Sequence, residues 1–548
     1  MLLNEIASVS AEVAQVSGRR AKIDLIAGLL ARADAGEVPL AVAFLSGELR
    51  QRQIGVGYAA LTDLFAPRAD TAGPVPQESV PVAEPILTLT ETDQVFAAIG
   101  QVTGAGSQAE RRRLLAELFG RATEGERSFL VQLIAGELRQ GALEGVMIEA
   151  VAKAAGVPAA EVRRALLLGG SLPAVARAAL RGSADPLGPG QQPGAPLDAL
   201  TALRSFTLRV GRPLRPMLAA SAPSIEAALQ KVSPAGIEWK IDGIRVQVHK
   251  QAEQIAVFTR TLDDITARVP EIVEAAASLP ARTAVLDGEA VALYPDGRPR
   301  PFQVTASRAG TQTEVASRRG DVPLTTFFFD LLHLDGADLI DSPAQDRHAA
   351  LARLLPAELV IPRTVTADPE VAEAFFAGAV AHGHEGVVVK SLGSPYATGR
   401  RGSEWIKVKP RHTLDLVVLA AEWGHGRRRG WLSNLHLGAR DPATGGLVML
   451  GKTFKGLTDQ MLAWQTGKLL ELAGPAPPGD PAEARGVVRV RPELVVEIAF
   501  DGVQVSHRYP GGLALRFARV IRYRPDKTAA EADTIDAVRA VAPIEQPD

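Results

Sequence analysis

A lysine followed at once by an Asp-Gly turn is the residue in this sequence best placed to act as a nucleophile. Lys240 lies between two β-branched runs in IEWKIDGIRVQVHK, and the pattern places it where a strand ends in a tight turn. An amine that is half desolvated there becomes nucleophilic when burial or neighbouring cations favour its neutral form. A surface lysine ahead of a hairpin is the alternative that this fragment leaves open.

Two carboxylate and glycine pairs follow along the chain, again between apolar runs. They contain Glu289, in LDGEAVAL, and Glu385, in HEGVVVKS. Hard divalent cations such as Mg²⁺ take oxygen ligands of this type, so the two glutamates are candidate metal ligands. Two acidic turn residues would give the same pattern.

Cationic and aromatic residues occur beside these motifs. Lys407 and Lys409 alternate with apolar residues in WIKVKP, which predicts that both point to one face of a strand, where they could bind phosphate. Phe329, in FFFDLLHLDG, carries a ring on which a base could stack. A solvated strand face and a core phenylalanine are the alternatives. Together these residues favour a site that handles a nucleoside triphosphate.

The length and composition limit the kinds of protein that can hold such a site. A chain of 548 residues predicts three or four domains, and 46% hydrophobic with 22% charged residues is typical of a globular protein. The absence of cysteine excludes disulfides, thiolate catalysis and cysteine-bound zinc. With no apolar run long enough for a membrane span and no signal-peptide pattern in MLLNEIASVS, we expect a cytoplasmic protein without a membrane partner.

Proline-rich and glycine-rich stretches divide the chain at residues 67–85 and 182–196. The apolar residues before the second stretch recur at helical spacing and predict an all-helical region. Within this region the segment that begins at Leu29 is repeated from Leu118, at an offset of 89 residues, and the repeat places GELRQ at both 47–51 and 136–140. The repeat predicts a pseudo-twofold helical domain in which Arg50 and Arg139 are equivalent, although a duplication kept for packing alone would look the same.

After residue 200 the sequence changes to short runs that are rich in β-branched residues. Runs separated by helical stretches up to residue 411 predict a mixed α+β domain. About five strands with one helical insert follow, which is typical of a small β-barrel of the OB-fold type. We therefore expect a multidomain chain with an all-α domain at 1–200, an α+β domain at 201–411 and an OB-fold domain at 412–548.

Seven sequence segments, in order along the chain, resemble the motifs of the covalent nucleotidyltransferases, and most closely those of the ATP-dependent DNA ligases. The segments are KIDGIR at Lys240, FTR ending at Arg260, LDGEAVAL around Glu289, FFFDLLHLDG around Phe329, HEGVVVKS at Glu385, GRRGSEWIKVKP with Arg401, Lys407 and Lys409, and LRFARVIRYRPDK ending at Lys527. The opening GRPLRPMLA at Gly211 resembles the start of the ligase catalytic core.

The resemblance implies a fold and a reaction. It implies an N-terminal DNA-binding domain, an adenylation (nucleotidyltransferase) domain and a C-terminal OB-fold domain. Lys240 would attack the α-phosphate of ATP, and AMP would then pass to the 5′-phosphate of a nick in double-stranded DNA. The 3′-hydroxyl of the nick would finally displace the AMP. Such enzymes hold DNA across the minor groove without regard to sequence, and one chain suffices, so a monomer is expected. DNA repair, replication and recombination all need this reaction.

The resemblance also assigns the site residues. Lys240 is the catalytic residue, and Glu289 and Glu385 would hold Mg²⁺, with Mn²⁺ as the other candidate metal. Glu238 would read the amino edge of adenine and Phe329 would stack on the ring. The remaining candidates, Arg245, Arg260, Arg401, Lys407 and Lys409, would contact the sugar or phosphates.

The stretch from Arg508 to Lys527 holds six basic residues and one acidic residue. Either it is a solvated strand face or some of its cations orient pyrophosphate. The candidates are Arg516, Arg519, Arg522, Arg524 and Lys527. The second interpretation requires hinge closure across residues 409–414.

Four alternative functions can be compared with this one. An RNA ligase or a GTP-using capping enzyme would share the lysine, the carboxylates and the barrel, but neither usually carries a long helical domain ahead of the core. An NAD-dependent ligase would need a four-cysteine zinc site, which this sequence cannot form. A non-catalytic DNA-binding scaffold would explain the helical repeat and the barrel but not the lysine-centred residues.

Overall fold

The structure is a computed structural model, and it describes residues 1–51, 54–56, 84–104, 106–138, 140–142, 144–182, 197–311, 315–397, 404–425, 428–474 and 486–541. Contacts within the chain divide it into two compact units, Met1–Val408 and Lys409–Asp548. The division into three domains at 200/201 and 411/412 stays a prediction. No helix among the described residues is long and apolar enough to cross a membrane.

Helices make up the first part of the Met1–Val408 unit, as the apolar spacing predicts. They are α1 (Leu3–Gln15), α2 (Arg19–Arg32), α3 (Val38–Leu45), α4 (Leu89–Gln101), α5 (Ser107–Gly120), α6 (Glu124–Ile134), α7 (Glu144–Ala155), α8 (Ala159–Gly169), α9 (Leu172–Arg181) and α10 (Ala199–Arg204). Capping boxes define where two of them begin. Thr88 accepts a hydrogen bond from the backbone of Glu91 at α4, and Thr123 does the same with Glu126 at α6.

The two repeated segments each cover the end of one helix and the whole of the next, α2 and α3 in the first copy and α5 and α6 in the second. The glycines that open the two GELRQ segments, Gly47 and Gly136, both have left-handed backbone angles, with φ of +74° and +68°. A β-carbon at Gly47 would lie 3.5 Å from that of Leu138, so the two segments lie side by side. Arg50 forms an ion pair with Asp93 at 2.5 Å, while its repeat equivalent, Arg139, lies outside the described residues.

Two five-stranded sheets follow in the same unit, with neighbouring strands in the orders β1-β10-β9-β2-β8 and β4-β3-β5-β6-β7. The strands are β1 (Ala220–Ser221), β2 (Ala235–Trp239), β3 (Ile244–Gln251), β4 (Gln254–Thr259), β5 (Thr283–Ala292), β6 (Leu324–Leu334), β7 (Ala337–Asp338), β8 (Arg363–Thr366), β9 (Val387–Ser391) and β10 (Trp405–Val408). The helices are α11 (Ile225–Leu229), α12 (Pro270–Ala277), α13 (Phe302–Gly310), α14 (Val315–Asp321), α15 (Ala344–Leu354) and α16 (Pro369–Ala381).

One hydrophobic cluster joins the helical region to the sheets, and each sheet also packs on a buried cluster of its own. Buried side chains such as Phe44 and Phe96 belong to the same cluster as Val285, Leu332 and Tyr396 of the sheet region. Burial of this apolar surface is the main favourable term that holds the unit together. Residues 240–243 connect β2 in one sheet to β3 in the other, which places the predicted nucleophile at the junction of the two sheets.

The Lys409–Asp548 unit consists mainly of strands, as predicted, although its described residues form eight of them where the sequence predicts about five. They are β11 (His412–Trp423), β12 (Leu432–Arg440), β13 (Leu447–Thr453), β14 (Val487–Arg489), β15 (Val495–Phe500), β16 (Gly502–Val505), β17 (Leu513–Arg516) and β18 (Arg519–Tyr523). The predicted helical insert is α17 (Asp459–Glu471), and α18 (Ile535–Val541) follows the strands. The main sheet has the order β13-β12-β11-β15-β18, with β14 on β11. Its closure into a barrel stays a prediction.

Candidate functional site

Lys240 lies directly after β2, at the strand end that the sequence predicts. Its backbone N–H donates to the carbonyl of Gly386 at 2.8 Å, and its carbonyl accepts from the N–H of Glu385 at 2.9 Å. The Lys240 ammonium also forms an ion pair with the Glu385 carboxylate. The side chain keeps 23% of its surface exposed. The lysine is therefore fixed at its backbone while its amine stays accessible.

Glu289 faces the same lysine from the other sheet. It lies on β5 opposite Arg245 of β3, and it is half-buried. Burial raises the pKa of Glu289 to about 7, although the charges of Lys240 and Arg245 act in the opposite direction. Gly243 permits this close approach, because a β-carbon there would lie 2.3 Å from the carbonyl oxygen of Ala290 and 3.0 Å from Cγ of Glu289.

The two glutamates fit a hard divalent cation. Both carboxylates act on the Lys240 amine, Glu385 by an ion pair and Glu289 by a Coulombic interaction. Mg²⁺ is commonly bound through one or two carboxylates, with water and substrate phosphates completing its shell. The described residues contain no cluster of three or more histidine, aspartate or glutamate side chains that could hold a metal without such help.

Arg245 lies in a buried network. Its Nε and Nη2 donate to Asp287 at 3.0 and 2.6 Å, Nη1 donates to the carbonyl of Met217 at 2.6 Å, and Nη2 contacts the Tyr396 hydroxyl at 3.2 Å. Burial opposes its charge, but Asp287 raises the pKa of Arg245 above its ordinary value. These contacts position Arg245 beneath the site, and its role toward a sugar or phosphate stays a prediction.

The sequence does not indicate that Asp287 and Tyr396 are partners of Arg245. The Tyr396 hydroxyl donates to Asp287 at 2.7 Å and accepts from the N–H of Met217 at 3.0 Å. Asp287 has the same period-two spacing as Glu289, which could have indicated a second functional carboxylate on that strand. No local pattern indicates Tyr396.

Glu238 is buried on β2, two residues before the lysine. Lys390 of β9 lies 2.5 Å from its Oε2, and Nε of Arg363 on β8 lies 3.8 Å from its Oε1. Burial raises the pKa of Glu238 and lowers that of Lys390, because each loses hydration of its charged form, while their mutual attraction opposes both shifts.

Phe329 lies on β6 beside these charged groups. Its ring is half-buried and meets Trp405 edge to face, with 5.9 Å between centroids. The Lys390 ammonium lies 4.6 Å from the Phe329 centroid and the Arg245 guanidinium 5.4 Å from it. The ring therefore belongs to the same site as Glu238, and its stacking on a base stays a prediction.

The other predicted phosphate contacts are less closely grouped. Arg260 is exposed just after β4, and Arg401 lies outside the described residues. Lys407 is half-buried within β10. Lys409 lies beyond the end of that strand, so the prediction that both lysines share a strand face is wrong. The strand ends at Val408 because this residue pairs with Val387, the first residue of β9, and the partner strand extends no further.

Lys409 and the basic C-terminal stretch belong to the second unit. Lys409 Nζ lies 3.3 Å from Asp501. Arg524 and Lys527 converge on Asp415, at 2.8 and 2.6 Å from its Oδ2. The other candidates are Arg522, paired with Glu497 at 2.7 Å, Arg519, which is exposed, and Arg516, whose guanidinium lies 5.9 Å from the centroid of the Phe517 ring.

Comparison with known proteins adds independent observations. Three protein-family models match the chain: "DNA ligase N terminus" at residues 2–152, "ATP dependent DNA ligase domain" at 216–409 and "ATP dependent DNA ligase C terminal region" at 428–527. A probable DNA ligase of Mycobacterium marinum is 56% identical over 544 residues, which cover 99% of this chain and 100% of the relative. A probable DNA ligase of Mycolicibacterium gilvum is 54% identical over 99% of each chain.

Two of the solved structures match almost the whole chain. The structure titled "Pmar-Lig_PreS3" aligns with a TM-score of 0.59 at 16% identity and covers 95% of this chain and 99% of its own. At that identity the likeness concerns the fold alone.

Proposed function

Because the chain belongs to the ATP-dependent DNA ligases, we propose that it seals nicks in duplex DNA through an adenylate on Lys240. Three displacements complete the reaction. The Lys240 ammonium first loses a proton to water; the neutral Nζ then bonds to the α-phosphorus of ATP, loses a second proton and releases pyrophosphate. The 5′-phosphate of the nick then takes the AMP and frees the lysine, and the 3′-hydroxyl attacks that 5′-phosphorus and releases AMP.

The observation that carries this proposal is the position of Lys240 at the junction of the two sheets. The backbone on both sides of the reacting side chains is hydrogen-bonded, so Lys240 and Glu385 keep their relative position during the reaction. The Glu385 carboxylate contacts Nζ and so orients the lysine side chain for attack. Glu238 binds the amino edge of the adenine, and Phe329 stacks on the face of its ring.

Glu289 and Glu385 would hold the divalent cation, which we propose to be Mg²⁺. The bound cation would offset the negative charge that develops on the phosphate oxygens. Mn²⁺ is a second cation that carboxylate oxygens bind. We expect EDTA to abolish adenylation and excess Mg²⁺ to restore it.

For the pyrophosphate contact we propose Arg524 and Lys527. They are the candidates whose side chains converge on one acceptor, Asp415. Two cations gathered on one carboxylate can also gather on a diphosphate, which offers more oxygen acceptors at a similar spacing.

The second unit presents a surface suited to duplex DNA. Phe517 is 54% exposed and has a left-handed backbone, with φ of 55°, which is unfavourable for a bulky residue. The cations of Lys455, Lys409 and Arg516 lie 5.3, 5.8 and 5.9 Å from its ring centroid. We propose that this ring contacts a groove of the duplex while the cations contact phosphates. Such contacts do not depend on the base sequence.

Replacing Phe517 tests this DNA contact. Phe517→Ala should weaken binding to a nicked duplex and slow sealing, while adenylation by ATP stays unchanged. Val505→Ala, which truncates another exposed apolar side chain of the same unit, is the matched control. Equal affinity of Phe517→Ala and the wild type for nicked DNA would refute the assignment.

A pre-adenylated nick tests the order of the steps. Lys240→Ala should fail on an ordinary nick with ATP and should seal a nick that already carries the 5′-adenylate, because the last displacement needs no bond to lysine. Nicked duplexes with RNA in either strand, run beside the DNA substrate, separate DNA ligation from RNA ligation. Sealing of an ordinary nick by Lys240→Ala would contradict the covalent route.

We also propose that one chain acts as a monomer. The three matched ligase regions all lie within this one chain. Sedimentation of the adenylated protein with a nicked duplex should give one protein chain per nick. A stable dimer on one nick would refute this part of the proposal.

A further inference from the structure

Three strands of the first sheet bring charged side chains together around Glu238. β2 lies between β9 and β8, and the register places Arg363 directly opposite Glu238 and Lys390 directly opposite Gly236. Residues 236 and 238 share one face of β2, so both cations reach the same side of the sheet. The carboxylate on the central strand is thus flanked by one cation from each neighbouring strand.

The glycine at position 236 makes room for this arrangement. A β-carbon there would lie 2.3 Å from Nη2 and 2.7 Å from Nε of Arg363, so the guanidinium occupies the space where another residue would have its side chain. The guanidinium and the Lys390 ammonium both have little exposed surface, 8% and 5% of their side chains. Two buried cations beside one carboxylate carry a high desolvation cost, which indicates a role beyond stability.

The two oxygens of Glu238 differ in their contacts. Oε2 lies 2.5 Å from the Lys390 ammonium, whereas Oε1 lies 3.8 Å from Nε of Arg363, beyond hydrogen-bond distance. That Nε is buried and has no hydrogen-bond partner among the described residues. Lys390 therefore fixes the orientation of the carboxylate, while Arg363 acts on Oε1 through its charge and leaves the oxygen able to accept a hydrogen bond.

We propose that Arg363 and Lys390 determine nucleobase selectivity, because they hold Glu238 as an oriented, accepting carboxylate that selects a 6-amino purine over a 6-oxo purine. This inference rests on the proposed adenylation. An ionised carboxylate accepts from an amino group and repels a carbonyl oxygen, whereas a protonated carboxyl can donate to that oxygen. A site whose polar group is matched to one partner discriminates strongly against the other.

The ionisation of Glu238 depends on all the charges that surround it. Lys390 and Arg363 favour the carboxylate, and so does Arg347 on α15, which has a favourable Coulombic interaction with Glu238. Burial and the charge of Asp330 on β6 favour the protonated form and raise the pKa. His348, also on α15, faces Arg363 and Lys390, and burial lowers its pKa to about 4, so it is neutral near pH 7. Removing either flanking cation shifts this balance toward the protonated acid.

The test compares covalent labelling by ATP and by ITP, the 6-oxo analogue, in full-length protein with Mg²⁺. The wild type should prefer ATP, and Arg363→Gln should lower the ATP-to-ITP ratio of kcat/KM by about tenfold or more. The ratio in Arg363→Gln should fall further as the pH falls. Arg363→Lys should keep most of the selectivity, and Arg353→Gln, an exposed arginine of the same unit, should not change it.

Gly236→Ala provides a second variant, which displaces the guanidinium without removing a charge. It should also lower the ratio, and it keeps the proposal testable where Arg363→Gln folds poorly. Unchanged ratios in both variants, with the two rates falling together, would show a purely structural role and overturn the inference. Absence of label on the wild type with every nucleotide would instead overturn the adenylation on which the inference rests.

Discussion

Asp287→Ala removes the acceptor at the centre of the buried network beneath the site. The carboxylate accepts from Nε and Nη2 of Arg245 at 3.0 and 2.6 Å and from the Tyr396 hydroxyl at 2.7 Å. The Asp287 and Arg245 side chains are only 1% and 14% exposed. Loss of one partner of a buried ion pair leaves the other charge uncompensated, so we expect the unfolding free energy to fall by about 3–5 kcal/mol.

A double-mutant cycle with Arg245→Met assigns the cost to the pair. Because Arg245→Met removes the orphaned charge, the double variant should be more stable than Asp287→Ala alone. Equilibrium urea unfolding measures each corner. Glu274→Ala is the control: it breaks the exposed pair with Arg319, whose two side chains are 60% and 39% exposed, and it should leave stability unchanged. Equal losses in Asp287→Ala and Glu274→Ala would refute the reasoning.

Three further changes test other parts of the structure. Lys250→Met removes an ammonium that donates to three carbonyls at the end of α12, at 2.6–3.1 Å, and should lower the urea-unfolding free energy by about 1–3 kcal/mol; no loss would contradict these bonds. Gly243→Ala places a β-carbon 2.3 Å from the Ala290 carbonyl and should reduce adenylation severely, and normal labelling would show that the turn can shift. Burial opposes the charge of Glu422, but hydrogen bonds from neighbouring side chains lower its pKa from 4.5 to about 2. The contribution of the Glu422 carboxylate to stability is therefore full above about pH 4.5 and is lost as the pH falls toward 2. Acid unfolding of the second unit should therefore be shallower in Glu422→Gln than in the wild type, and identical curves would refute this.

The position of Lys240 could be predicted from sequence because the signals are local. Alternating apolar residues identify a strand, and an Asp-Gly pair identifies the turn that ends it. The structure accordingly places Lys240 directly after β2, whereas the Asp-Gly pair before Glu289 lies inside β5 and ends no strand. The functional roles of Lys240 and the two glutamates stay predictions that the experiments above address.

The partners that hold these residues could not be predicted, because they come from distant parts of the chain. Tyr396 is 109 residues from Asp287, and Arg363 meets Glu238 only through the pairing of β8 with β2. Alternation in the sequence gives the face of a residue but not the neighbouring strand. The same alternation wrongly predicts that Lys409 shares a strand face with Lys407, because the strand ends at Val408.

Label transfer from α-³²P-ATP tests the central claim most directly. The purified protein is incubated with the labelled ATP and Mg²⁺, denatured, digested and mapped. We predict one labelled peptide that contains Lys240, no label on Lys240→Ala, and unchanged labelling of Lys231→Ala, a control at an exposed lysine ahead of the same strand. No label on the wild type, or equal label on Lys240→Ala, would contradict the claim that this lysine carries the adenylate.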